Sequence, residues 1–423
     1  MLRYFILFGL AVVALAAALS FHQPPMRLMP TPSIFIKAGT NLFSDKPERS
    51  NDPRIRLFYA TNRLPVGPAD NRLYAVVPGL DLHLGVATVR IGDEATTWDR
   101  IHEWSTRAER DERPYLHLES MAEQASFVRD KAPSPAVQEW LAAVDTAVRQ
   151  SRDKDVTIYV HGASTTVERA AGQAAQLHHF TGRDAVVVLF AWPTAENFLR
   201  YPRDVVTALG AAPHLRDLMK LLAEHTGARR INLFTYSAGA TVGGDALAMV
   251  GRDSASIGAA DPRLGEIYHA APDADFRGFV DDMRDYAGRA DRITVAANLN
   301  DSALRLSRIV NRASRAGRPD LRELTPEASE WLLRGASAYG LELLRVTPED
   351  MPSSSRTSHS FWYDDPWASS DVLITLLFHL PPGARGLDER HGADGVDYWT
   401  FTPDYPERLL SVTERLRASE PAP

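Results

Sequence analysis

Four short stretches of this chain set reactive side chains at the ends of apolar runs. In "INLFTYSAGATVGG", residues 231–244, the run stops at Tyr236-Ser237-Ala238-Gly239 and small residues restart as a helix. A serine on such a corner has its hydroxyl held up beside the free N–H groups of a helix start. Thr235-Tyr236-Ser237-Ala238-Gly239 follows the Gly-x-Ser-x-Gly nucleophile elbow, with threonine in the first small position. Read alone, the same serine is a helix N-cap, a role that serine fills well. Nucleophile and cap both stay open until the partners are considered.

In "VTIYVHGAST" the step His161-Gly162 closes a strand. Glycine lets the chain turn sharply and approach a ligand with its backbone. Half of an oxyanion hole is built at such a step in α/β-hydrolases, and the N–H after the nucleophile supplies the other half. The backbone amides of Ala163 and Ala238 are the candidates, supported by His161, Gly162 and Gly239. The bland alternative is a plain strand-to-helix turn.

An acid and a base complete the set. Asp301, in "AANLNDSALRLS", lies just past a strand and could fix an imidazole tautomer. It is also placed to cap the helix that follows. Asp273, in "HAAPDAD", is the alternative acid at the end of the preceding strand. His359, in "SSSRTSHSFW", follows the last strand, so that Ser237, Asp301 and His359 come in the hydrolase chain order. His391, in "ERHGADG", is the alternative base; His269 lies inside a strand and His379 in a packed segment. This set supports acyl transfer through a covalent serine intermediate and needs no metal or organic cofactor.

The elements must form a scaffold that holds these loops together. Short apolar runs at 156–160, 185–192, 231–236, 266–271 and 292–298 alternate with helical stretches, and a last strand, "LELLRV", follows a helix opened by Thr325-Pro326. Such near-continuous apolar strands argue for a parallel sheet covered by helices on both faces, an α/β fold. Ligands then gather beyond the carboxyl ends of the strands. Ahead of this sheet, "RIRLFYATNR" and "GVATVRIG" read as an opening pair of antiparallel strands. "SPAVQEWLAAVDTAVRQ" reads as a helix capped by Ser134, with Val137, Leu141, Val144 and Val148 on one face. Residues 93–131 give no readable pattern.

With these pieces in place the chain resembles a bacterial family of uncharacterised α/β-hydrolases. The resemblance rests on "FYATNR", "YVHG", "FAWP", "YSAGA", "AAPDAD", "NDSALRLS" and "SHSFW", in family order from about Leu57 to Trp362. It implies the α/β-hydrolase fold and a triad of Ser237, Asp301 and His359. Two departures stand out. Family members tend to carry a histidine before the nucleophile and a smaller residue before that, where this chain has Tyr236 and Thr235. The loop after His-Gly is "GASTTVE" rather than Gly-Phe-Asn-like, which brings Ser164, Thr165 and Thr166 toward either a substrate or the cap of the next helix.

The expected activity is a serine hydrolase cleaving an ester, thioester or amide of a small-molecule or lipid acyl substrate. An acyltransferase would use the same parts. A lipase-like variant would line an acyl pocket with Phe361, Trp362 and Trp367, and a third alternative is an inactive hydrolase-like scaffold. Composition narrows the classes further. A net charge of −7 with scattered basic residues gives no nucleic-acid surface, and zero cysteines exclude disulfides and cysteine-held metals. "MLRYFILFGLAVVALAAALS" has the layout of an export signal, with Ala18-Leu19-Ser20 as a small-x-small cleavage site. As a helix its apolar run is about 25 Å long, slightly short of the roughly 30 Å hydrocarbon core, so an anchor through residues 4–21 is the alternative to cleavage. The expected organisation is a signal or anchor over 1–21 and a Pro-rich linker over 22–53. The hydrolase domain follows over 54–380, with 93–150 insert-like, and a C-terminal extension over 381–423 packs on it. The expected location is extracytoplasmic, free or tethered.

Overall fold

The computed structural model describes residues 25–37, 52–107, 113–195, 200–254, 262–347, 358–392 and 395–419, with Gly9, Met351 and Ser355. Apart from Gly9, the N-terminal apolar run expected to direct export lies outside the described residues. Among the described residues no helix is long and apolar enough to cross a membrane.

Part of the stretch expected to be a linker is core. Met26, Leu28, Met29 and, on α1 (Ser33–Lys37), Ile34 and Phe35 are buried. The Met29 N–H donates to Gln176 Oε1 at 3.0 Å, and Phe35 packs edge-on to Phe180. Prolines there remove N–H groups that would need partners, while the apolar residues between them gain from leaving water.

β1 (Arg54–Val66) and β2 (Leu73–Ile91) form the expected antiparallel pair, with Ile55 opposite Val89 and Leu57 opposite Ala87. Their register slips between Thr61 and Arg63 and again before Pro65, as a bulged ladder does where it bends. The Tyr74 hydroxyl then lies 2.9 Å from that of Tyr59, which pairs with Gly85 further along the ladder. The unreadable region 93–131 contains α2 (Trp98–Thr106) and β3 (Leu116–Phe127), which adds to the free edge of β2.

α3 (Pro135–Gln150) leads into the parallel body of the sheet: β4 (Val156–Val160), α4 (Val167–Phe180), β5 (Val186–Phe190), α5 (Tyr201–His225), β6 (Ile231–Tyr236), α6 (Gly239–Ser254), β7 (Leu264–Ala270), α7 (Phe276–Tyr286), β8 (Ala290–Ala297), α8 (Ser302–Asn311), α9 (Pro326–Tyr339) and β9 (Leu341–Arg345). α5 begins well before its buried stripe of Leu215, Leu218, Met219 and Leu222 and runs through Pro213. After β9 come α10 (Phe361–Asp364), α11 (Pro366–Phe378), the hairpin β10 (Asp388–His391) and β11 (Asp397–Thr400), and α12 (Tyr405–Ser419). The C-terminal residues thus contribute to the sheet as well as packing on it.

The eleven strands stand in the order β10-β11-β9-β8-β7-β6-β4-β5-β1-β2-β3. Pairing is parallel from β1 through β5, β4, β6, β7, β8 and β9 to β11, and antiparallel at both edges. Alternate strand residues feed two cores. Ile158, Val188, Leu233 and Ile267 meet α3, α5, α6 and α7 on one face; Tyr159, Leu189, Phe234 and Tyr268 meet α1, α4, α11 and α12 on the other. Burial on both faces is why these strands read as continuous apolar runs. Every loop at the carboxyl end of the parallel strands therefore opens on the same edge.

Candidate active site

Ser237 leaves β6 in a left-handed turn, φ +54°. A non-glycine residue there costs roughly 1–2 kcal/mol, so its surroundings must hold it. The Ser237 N–H donates to the Ala270 carbonyl at 3.0 Å, and its own carbonyl accepts from the N–H groups of Ala240 at 3.0 Å and Asp273 at 2.9 Å. The turn needs close approach as well. A Cβ on Gly239 would stand 2.5 Å from the Val160 carbonyl oxygen, and one on Gly162 would stand 2.9 Å from Ser237 Cβ. Thr235 fits without the usual glycine because Gly243, on the facing turn of α6, leaves room. A Cβ at that position would lie 2.5 Å from the threonine methyl. The Thr235 hydroxyl is paired with His269 Nδ1 at 2.7 Å, which removes the cost of burying it.

His359 lies between Ser237 and Asp301. Its Nε2 is 2.7 Å from Ser237 Oγ and its Nδ1 is 2.6 Å from Asp301 Oδ2. Asp301 is fully buried and does two jobs at once, because its Oδ1 accepts the N–H groups of Ala303 and Leu304 at 2.8 and 3.0 Å and so caps α8. The cap fixes the carboxylate, and its second oxygen is left for the imidazole. The Asn298 side-chain amide donates to the Ser358 carbonyl at 2.9 Å, tying the histidine loop to the end of β8. Tyr236, where the family tends to carry histidine, places its ring 5.3 Å from the imidazole and packs on Trp362 and Tyr363. Burial pulls the His359 imidazole down. The charge and hydrogen bond of Asp301, with a further push from Asp273, outweigh this and hold its pKa above the ordinary 6.5.

The loop after β4 is built around a neutral histidine. His161 is buried and stacked on Trp192, with ring centroids 5.5 Å apart; burial and then the charge of Arg63 push its pKa down to about 3. Its Nδ1 lies 2.8 Å from the Gly162 carbonyl oxygen, so a neutral ring carries its proton there and donates. A trans peptide points its N–H opposite to its carbonyl. Holding the Gly162 carbonyl against His161 therefore aims the Ala163 N–H away from that ring. Among the described residues, neither the Ala163 nor the Ala238 N–H donates to a protein acceptor. The loop is braced further on. Ser164, at φ +52°, donates its N–H to Asp204 Oδ2 at 3.0 Å, and Thr165 donates to Thr194 Oγ1 at 3.2 Å. Buried Arg63 reaches the carbonyls of Trp192 and Thr165 at 3.0 and 3.2 Å. "FYATNR" and "FAWP" carry Arg63 and Trp192 as motif positions whose role the sequence leaves blank, and Asp204 has no local signal at all.

The alternative residues go elsewhere. Asp273 Oδ1 accepts from Arg315 Nε at 2.6 Å and Ser307 Oγ at 2.7 Å, and its Oδ2 accepts from the Tyr201 hydroxyl at 2.8 Å. It acts on His359 through space, not through a hydrogen bond. His391 is exposed on the edge hairpin and pairs with Asp397 at 2.6 Å, remote in the sheet order from β6. His379 sits between Asp155 and Glu266, at 3.0 and 3.3 Å. Phe361, Trp362 and Trp367 are buried in the core rather than lining an open acyl pocket; Trp362 packs on Tyr159 and Phe234. Thr166 is the N-cap of α4, with its hydroxyl accepting the Arg169 N–H at 3.0 Å.

The family model described as "Alpha/beta hydrolase of unknown function (DUF900)" matches residues 135–366, more than half the chain, and includes His161, Ser237, Asp301 and His359. Among curated proteins none matches. Solved structures similar to this chain include esterase B from Lactobacillus rhamnosis inhibited by a tributyrin phosphonate, at 11% identity over 63% of this chain and 79% of that one, with a TM-score of 0.31. Another is an esterase from Pyrobaculum calidifontis, at 14% identity over 67% of this chain and 89% of that one, with a TM-score of 0.26.

Proposed function

The chain belongs to the alpha/beta hydrolases of unknown function (DUF900), and we propose that it is a serine hydrolase that cleaves carboxylic esters through an acyl-enzyme. One observation carries this reading: Ser237, His359 and Asp301 form an unbroken hydrogen-bonded relay, 2.7 and 2.6 Å long in its two links, on a serine held in a left-handed turn. Ser237 Oγ attacks the acyl carbonyl carbon while His359 Nε2 takes its proton. Asp301 keeps the other imidazole proton on Nδ1 and stabilises the imidazolium. The amides of Ala163 and Ala238 receive the oxyanion, each such donor being worth about 3 kcal/mol of barrier. The imidazolium returns its proton to the leaving alkoxide. Water then attacks the acyl-enzyme with His359 again as base, and Ser237 is regenerated.

Hydrolysis of p-nitrophenyl acetate, butyrate and octanoate by wild type and Ser237→Ala tests the reading. Wild type should turn over at least one ester, and the alanine variant should lose about 10⁴-fold or more in kcat. Equal rates in the two proteins would overturn it.

A further inference from the structure

The two helices at the rim of the site carry apolar outward faces. Asp301 is the N-cap of α8, and the first turn of α5 supplies Asp204 to the loop at Ser164. They are clamped together: the Tyr201 hydroxyl on α5 lies 2.8 Å from Ser307 Oγ and accepts from Asn311 Nδ2 at 3.3 Å, both on α8. Leu304 and Ser307 face inward on α8, while Leu306, Ile309 and Val310 face outward at helical spacing. On α5, Tyr201, Asp204 and Ala208 are buried while Val206 and Leu209 are exposed. Ile309 and Val206 are 69% and 70% exposed, too far out to serve the core. A further apolar side chain, Leu80, is held beside α5 by the hydrogen bond from His214 Nε2 to its carbonyl at 2.9 Å.

The charges on the same segments are of one sign at the surface. Residues 200–212 and 299–312 contain Arg200, Arg203, Arg305, Arg308 and Arg312, of which Arg308 pairs with Asp320 at 3.3 Å, and their only acids, Asp204 and Asp301, are buried. This reverses the sign of the whole chain, whose net charge is −7. An apolar stripe flanked by arginines matches a surface that offers negative headgroups over acyl chains. We propose that the outward faces of α5 and α8 dock the protein on an anionic lipid bilayer and bring the mouth of the site onto that surface. That the lipid is also the source of the acyl substrate rests on the serine-hydrolase reading; the docking itself does not.

The test is sedimentation of the full chain with vesicles of phosphatidylcholine, alone or with phosphatidylglycerol. All variants keep the N-terminal apolar run, so differences between them report on the helices. Wild type should bind the anionic vesicles at least tenfold more tightly than the neutral ones. V206E/I309E should lose at least tenfold on anionic vesicles while keeping wild-type turnover of a soluble short-chain ester, which also shows that it folds. R305Q/R312Q should lose most of the preference for anionic lipid, and that preference should fade in high salt. Ser237→Ala should bind vesicles as wild type does, so that failure of the chemistry and failure of the docking are told apart. Wild-type-like vesicle binding by V206E/I309E would overturn the proposal. So would equal affinity of wild type for neutral and anionic vesicles, or a wild-type dimer in solution that V206E/I309E abolishes, which would make a second copy the occupant.

Discussion

A serine hydroxyl is a poor nucleophile at neutral pH until a base can take its proton, so in the proposed mechanism the state of His359 decides when Ser237 can act. Its pKa is held above 6.5, chiefly by Asp301 working against burial. As the proposed general base, the imidazole is active in its neutral form. Activity should be present at high pH and lost as pH falls through a midpoint above 6.5. Asp301→Asn should cut kcat by about 10³–10⁴-fold, as in other triads. It should also move that midpoint down, because burial then acts without the carboxylate; a pH profile of kcat/KM on one ester measures both. The three residues were legible because each follows the carboxyl end of an apolar run. The choice between Asp273 and Asp301 was not, since what removes Asp273 is Arg315, forty-two residues away in sequence and brought over by the loop before α9. His391 was open for the same reason, as nothing local shows that its loop is a hairpin at the far edge of the sheet.

At the scale of elements, the strand β4, its His-Gly step and the loop to α4 act as one piece. In the proposed mechanism His161 touches no reacting atom and is a positioning residue: its ring holds the Gly162 carbonyl and so the direction of the Ala163 amide. His161→Phe should lower kcat by roughly 10–100-fold with little change in KM, the mark of an oxyanion donor turned away rather than a lost binding contact. His161→Asn, whose amide can still donate to that carbonyl, should recover part of the loss. Steady-state kinetics on a single ester decides it. The central strands were readable because burial on both faces leaves no polar positions to blur them. β3 was not, because register shifts at Leu84/Gly85 and Thr88/Val89 space its buried residues Leu116, Met121 and Ala125 five and four apart and hide the period of two. β10 and β11 are four residues each and mostly polar, and form strands only because β9 offers an edge. Met26 to Phe35 read as a linker because Pro24, Pro25, Pro30 and Pro32 flank and punctuate it, although the apolar residues beside them have a core to enter.

Across the molecule, charged groups also tie the C-terminal segment to the sheet. Fully buried Arg385 lies 2.9 Å from Glu342 and 3.1 Å from Asp371, and Arg292 lies 3.1 Å from Glu266. His379 joins this set. Burial pulls its imidazole down, but Asp155 and Glu266 outweigh that and push its pKa up to about 9. A group raised in the folded state stabilises the fold in its protonated form, so its contribution is complete below about pH 6.5 and is lost as pH rises toward 9. The shift corresponds to at most roughly 3 kcal/mol. His379→Gln should therefore be less stable than wild type at pH 6, with the gap narrowing by pH 9.5 in denaturant titrations. This network could not be read from the chain alone, since its partners come from separate segments and meet only in the folded sheet. The central claim concerns one atom, Ser237 Oγ. Incubation with a fluorophosphonate, followed by intact-mass and peptide mapping of wild type and Ser237→Ala, tests it most directly. A single adduct on Ser237 in wild type and none in the variant is the predicted result; an unlabelled wild type, or equal labelling of the variant, would contradict it.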